Sequence, residues 1–205
     1  MSSYKLSLGP EIVQRLMPHR RPYLMVDRIV SFSSEPAPCL RTVKYLSVNE
    51  PFFDGHFPRI ALMPGAMSFE GLGQTAHLLA VICALRDGLL ALGSSEQELF
   101  DGLANVEYGY TLNPAFKPEK AGDFNRIVDK LAASSYGMVG AAHLKFLEPV
   151  FPGNPVEFEA ALSGTFDDYQ NFQVEAFVNC RTKVKGTLSS IKGMGVSSML
   201  DVRDR

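Results

Sequence analysis

The sequence predicts an α+β fold in which an antiparallel sheet curls round one long buried helix. Three observations lead there. The segment from Pro64-Gly65 to about Asp87 carries apolar residues round most of a helical circumference, the mark of a helix enclosed by other structure. From Tyr136 to Ile191 the chain reads as consecutive strands with turn residues between them, which favours antiparallel neighbours. Two further strand-like runs precede the helix, so the sheet is contributed from both sides of it.

Taken in order, Pro10 to Met17 is a short helix with Ile12, Val13 and Leu16 on one side, ended by Pro18. Tyr23 to Phe32 and Cys39 to Val48 mix β-branched and aromatic residues with polar ones and read as strands. Asn49 to Pro64 is too rich in Pro and Gly for a regular helix. Gly71 and Gly73 sit inside the long helix, each costing about 1 kcal/mol against Ala. They point to close approach of another backbone or a ligand. Residues 88–135 read as an irregular insertion with one or two short helices. The strands that follow are Met138 to Leu147, Val156 to Phe166, Asn171 to Cys180 and Arg181 to Ile191, with a turn at Asp167-Asp168. The expected organisation is one domain over 1–205 carrying that insertion.

Composition narrows the function. The 205 residues are 46% hydrophobic with a formal net charge of −2, enough for one well-filled domain. Acidic and basic residues are mixed, with no basic run interleaved with aromatics, so nucleic acid is not an expected partner. Cys39, Cys83 and Cys180 lie far apart without a CxxC. Zinc and a disulfide framework are not expected, and the usage fits a reducing, cytoplasmic setting. The N-terminal segment lacks the apolar core of a signal peptide. The most apolar stretch, Ala76 to Leu92, is interrupted by His77, Arg86 and Asp87. A bilayer span needs about 20 apolar residues, so a buried helix is expected and no membrane span.

The chemistry concentrates in Asn49-Glu50-Pro51-Phe52-Phe53-Asp54-Gly55-His56-Phe57-Pro58, then Met63-Pro64-Gly65, then Glu70. An imidazole ends an extended aromatic run. Past a Pro-Gly break, a carboxyl stands in a strongly apolar helix. Imidazole titrates near neutral pH and can take a proton from carbon. A carboxyl enclosed by Met67, Phe69 and Leu72 is expected to favour its protonated form and serve as an acid. Gly65 falls at the helix N-terminus, where unpaired amides stabilise a developing oxyanion. Gln74 lies one turn after Glu70 and can orient its carboxyl. His19, His77 and His143 read as structural: a turn, a packed core position and a sheet residue. Arg20, Arg21, Arg59 and Lys117 are scattered, the pattern of solvated surface charge.

These residues carry a resemblance. Met17-Pro18-His19-Arg20-Arg21-Pro22-Tyr23-Leu24-Met25-Val26-Asp27-Arg28 resembles the opening motif of the β-hydroxyacyl-acyl-carrier-protein dehydratases of the FabZ/FabA type. NEPFFDGHFP with LMPGAMSFEGLGQ resembles the central motif, and Lys145-Phe146-Leu147-Glu148-Pro149-Val150-Phe151-Pro152-Gly153 a later strand and turn. The blocks keep the family's order, and His56 and Glu70 are fourteen positions apart.

The resemblance implies a hotdog fold and a homodimer or an oligomer of dimers. It implies dehydration of a 3-hydroxyacyl thioester, on acyl carrier protein or coenzyme A, to the trans-2-enoyl thioester. It implies His56 as base, Glu70 of the neighbouring protomer as the acid or as the holder of a water that acts as one, Gly65 and Gln74 as substrate-side residues, and neither metal nor organic cofactor. The chain departs from the pattern at Arg59-Ile60-Ala61, where the family continues Gly-Lys/Arg-Pro. It departs again at Gly71 and Gly73, where freed space is expected to alter an acyl-chain tunnel, and at the long insertion. Two other readings stand beside this one: a hotdog acyl thioesterase, which would not need His56, and a non-catalytic acyl-binding or assembly module.

Overall fold

The computed structural model of the chain describes residues 3–113, 115, 128 and 137–191. Among the described residues, seven strands and three α-helices follow in the order β1 (Ser3–Leu8), α1 (Pro10–Leu16), β2 (Arg28–Ser33), β3 (Cys39–Tyr45), α2 (Gly65–Ala91), α3 (Glu96–Leu112), β4 (Met138–Phe146), β5 (Pro155–Phe166), β6 (Tyr169–Val178) and β7 (Arg181–Ile191). The strands form a single sheet in the order β1-β2-β3-β5-β6-β7-β4, antiparallel at each pairing. This sheet wraps α2 in the hotdog arrangement.

The long helix explains the curvature. α2 has 27 residues and buries Leu72, Ala76, Leu78, Leu79, Val81, Ile82 and Leu85, which cover most of its circumference. A flat sheet would cover only one side of such a helix, so the twisted sheet closes round it. Alternate residues of β5, Val156, Phe158 and Ala160, are fully buried against it. α2 is long and apolar enough to cross a membrane, but 67% of its most apolar window is buried within the chain. Gly71 is required for this closeness: a Cβ there would lie 2.4 Å from Cζ of Phe158. The space expected at Gly71 is therefore filled by the Phe158 ring. At Gly73 a Cβ would meet Val139 Cγ2 at 3.7 Å, an ordinary contact.

The strand expected over Tyr23 to Phe32 starts only at Arg28. The Tyr23 carbonyl and the Met25 amide are bonded to the side chain of Gln74 instead of a neighbouring strand. α2 runs on to Ala91, past the expected end at Asp87. In the described part of the insertion, the helix expected as short is the 17-residue α3. Ser95 and Glu98 form a reciprocal capping box at its start, and Leu99, Phe100, Leu103 and Val106 bury one face. Most of the rest of the insertion, including Phe116, Lys117 and Phe124, lies outside the described residues.

α3 accounts for two elements. Phe100 packs on Tyr4 at 4.7 Å and Phe32 at 5.2 Å between ring centroids. It thereby holds β1, a strand the short SYKLSL segment does not announce. The Glu107 carboxylate accepts a hydrogen bond from the Ile12 N–H at 3.0 Å, at the first turn of α1. The N-cap of α1, Gly9, has no side chain to do this.

Gly71→Ala is expected to destabilise the chain by about 1–3 kcal/mol through overpacking, measured by urea unfolding. Phe158→Leu in the same chain should recover part of that loss, whereas additive effects would show that the ring is not the obstacle.

Candidate active site

His56 sits beyond a short 3-10 turn at Pro51–Asp54. The Lys44 ammonium, on a largely buried side chain, holds the start of that turn through Glu50 at 2.9 Å and also reaches Asp27 at 3.3 Å. The His56 amide donates to the Phe52 carbonyl at 3.0 Å, and the Leu62 amide donates to the His56 carbonyl at 3.1 Å. The ring stacks on Phe57 with centroids 4.1 Å apart. Its Nδ1 lies 2.8 Å from the Leu62 carbonyl oxygen. A carbonyl can only accept, so Nδ1 carries the hydrogen and Nε2 is left as the basic nitrogen.

Gly65 is the first residue of α2, so its N–H has no intrahelical acceptor. His56, Leu62, Met63, Gly65, Ser68 and Phe146 line a pocket of about 380 Å³, closed by the Pro149-Val150 turn and Val184. A Cβ on Gly65 would lie 3.0 Å from Phe146 Cε1, so glycine is what lets the ring and the helix start share this space. Ser68 and Phe146 were not picked out by residue chemistry, although Phe146 lies in the quoted KF motif.

Glu70 does not line this pocket. It follows Gly65 by five residues, about 140° round the helix. Its Oε1 accepts from Gln74 Nε2 at 2.8 Å and lies 3.5 Å from His19 Nε2. The side chain keeps 30% exposure. Its polar neighbours among the described residues are an amide and an imidazole. Gln74 is 1% exposed and makes two more bonds: it donates to the Tyr23 carbonyl at 2.5 Å and accepts from the Met25 amide at 2.8 Å. The structure thus brings His56 to Gly65 and Glu70 to Gln74, in two separate places. His19, read from the sequence as a turn residue, belongs to the second group.

Burial, and secondarily the nearby His19 imidazole, pushes His77 down to about 4. Burial first of all raises the thiols of Cys39 and Cys83 to about 11, which leaves neither a ready nucleophile at neutral pH. Among the described residues no group of three or more His, Cys, Asp and Glu is placed to hold a metal ion.

The FabA-like domain family matches residues 17–117. Over 80 residues the chain is 42% identical to the 3-hydroxyacyl-acyl-carrier-protein dehydratase FabZ of Vibrio atlanticus, covering 39% of this chain and 52% of that protein. Over 70 residues it is 49% identical to the FabZ of an Anaeromyxobacter species, covering 34% and 44%. The chain spans about half the length of the curated relatives it matches. Among solved structures, the dehydratase heterocomplex ApeI:P from Xenorhabdus doucetiae superposes with a TM-score of 0.57 at 11% identity. That match covers 94% of this chain and 97% of that one, a likeness of fold.

The depressed His77 makes a sign-definite prediction. Its folded value of about 4 lies below the ordinary 6.5, so between these values the unfolded chain binds the extra proton more readily. The stability tied to neutral His77 is complete above 6.5 and is lost as pH falls towards 4. The loss between pH 7 and 5 amounts to about 2 kcal/mol. Urea midpoints at the two pH values should separate in the wild type and draw together in His77→Leu; parallel behaviour would remove His77 as the cause.

Proposed function

We propose that this chain dehydrates a 3-hydroxyacyl thioester, delivered on acyl carrier protein or coenzyme A, to the trans-2-enoyl thioester. We further propose that it works as a homodimer, in a cytoplasmic setting. The observation that carries the reading is the fixed tautomer of His56. His56, with Nε2 as its basic nitrogen, and Gly65, the first residue of a helix, line one pocket. The FabZ relatives support the reaction class.

The steps follow from what each group can do. With the thioester carbonyl at the Gly65 N–H, enolate charge is stabilised by an unpaired amide and the helix dipole. His56 Nε2 takes the proton from the carbon next to the carbonyl. The C–O bond at the adjacent carbon breaks, and the leaving hydroxyl takes a proton from Glu70 to depart as water. Electrons of the C–H bond become the new C=C bond, so the step needs no oxidant or metal. The ring of His56 and the carboxyl of Glu70 must face one substrate. Since Glu70 does not line the His56 pocket of its own chain, the acid in this scheme is Glu70 of the partner subunit.

The edge strand supports such pairing. Among the described residues β4 is hydrogen-bonded on one side only, to β7, and Met138, Val139 and Phe146 are at 43%, 44% and 55% exposure. An unpaired edge with apolar side chains is a template for a second copy.

Purified protein is expected to convert 3-hydroxyacyl pantetheine thioesters to enoyl products. His56→Ala should lower kcat by about two to four orders of magnitude with the fold intact by circular dichroism. Undiminished turnover in that variant would overturn the assignment. Thiol release without enoyl formation would favour hydrolysis instead.

A further inference from the structure

We infer that His19 is a positioning residue for Glu70: together with Gln74 it holds Oε1 of the carboxyl and leaves Oε2 as the oxygen that meets the substrate hydroxyl. The inference rests on the reading of Glu70 as the acid of the dehydration.

The geometry places both neighbours on one oxygen. Gln74 Nε2 donates to Oε1 at 2.8 Å, and His19 Nε2 lies 3.5 Å from the same atom. Oε2 has no partner among the described residues. The loop that brings His19 there is itself fixed. Arg20 Nη1 donates to the carbonyls of Met17 and His19, each at 2.8 Å. The Tyr23 amide closes a turn onto the Arg20 carbonyl at 2.9 Å. Gln74 then ties Tyr23 and Met25 to α2. One amide therefore fixes both the carboxyl and the loop that carries the imidazole.

The second nitrogen of His19 settles which end holds the hydrogen. Nδ1 of His19 and Nε2 of His77 are both buried and find no hydrogen-bond partner among the described residues. The titratable groups that face His19 are Glu70 and His77, both from α2. A hydrogen on Nδ1 would be buried unpaired beside a second imidazole, which is costly. A hydrogen on Nε2 meets the Glu70 carboxyl. The Nε2–H tautomer is the one this site accommodates, and it turns His19 into a fixed donor. A carboxyl held at one oxygen keeps the other in a constant direction, and losing such alignment costs turnover more than binding.

Two measurements test this. In steady-state kinetics with a 3-hydroxyacyl pantetheine thioester, His19→Ala should lower kcat about 100-fold and leave KM within about twofold. His19→Gln, which keeps a donor near the place of Nε2, should recover about tenfold of that loss. A wild-type kcat in His19→Ala, or a loss confined to KM, overturns the inference. The second measurement needs no turnover. In the ¹⁵N NMR spectrum of the full chain, Nε2 of His19 should carry the hydrogen, and its resonance should move in Glu70→Ala. An Nδ1–H tautomer, or a resonance indifferent to Glu70→Ala, overturns the inference whether or not the protein turns over. The expected tautomer and coupling in a protein that dehydrates no thioester would instead sink the dehydratase reading alone.

Discussion

The burial of α2 is the constraint from which the rest follows. A helix with apolar residues round most of its circumference has to be enclosed, and a seven-stranded sheet does this by curling round it. Enclosure leaves few places where the helix can show polar groups. One is its start, where the Gly65 N–H stays unpaired. Another is the stripe of Glu70, Gln74 and His77, spaced four and three residues apart and so on one face. The loop before β2 satisfies much of that stripe: Tyr23 and Met25 bond to Gln74, and His19 reaches Glu70. The two polar exits of one buried helix are the two halves of the proposed site.

Those halves do not meet within a chain. His56 and the helix start share a pocket, while Glu70 lies on a different side of α2 with its carboxyl held by Gln74. Separation of this kind lets each half be ordered by its own contacts. The Leu62 carbonyl fixes the His56 tautomer, and Gln74 fixes Glu70 and its loop. Joining them through a second copy at the β4 edge would also cover exposed apolar residues. Stability and site assembly then depend on the same surface.

Legibility in the sequence varied with the reach of the interactions. α2 was plain because Pro64-Gly65 opens it and its apolar pattern is its own property. β5 to β7 were plain because alternation and the Asp167-Asp168 turn are local. A helix in the insertion is expected, but the length of α3 is not: Ser95 and Glu98 carry a capping signal, while polar SSEQE obscures the apolar positions that follow. β1 was illegible because Phe100, from the insertion, holds it. Tyr23 to Asp27 has strand composition, but part of its backbone bonding goes to the Gln74 side chain, which no local pattern reveals. The same holds in the site. His56, Gly65 and the Glu70–Gln74 pair follow from motif and helical spacing, whereas the contact of His19 with Glu70 joins residues far apart in the chain.

The central claim is that one reaction centre is built from two chains, and mixing inactive variants tests it directly. His56→Ala and Glu70→Ala chains, unfolded together and refolded as a mixture, should regain about a quarter of wild-type activity. Half of the dimers are then mixed, and each of these holds one intact site of two. Activity no greater than the average of the two separate variants would contradict the shared site.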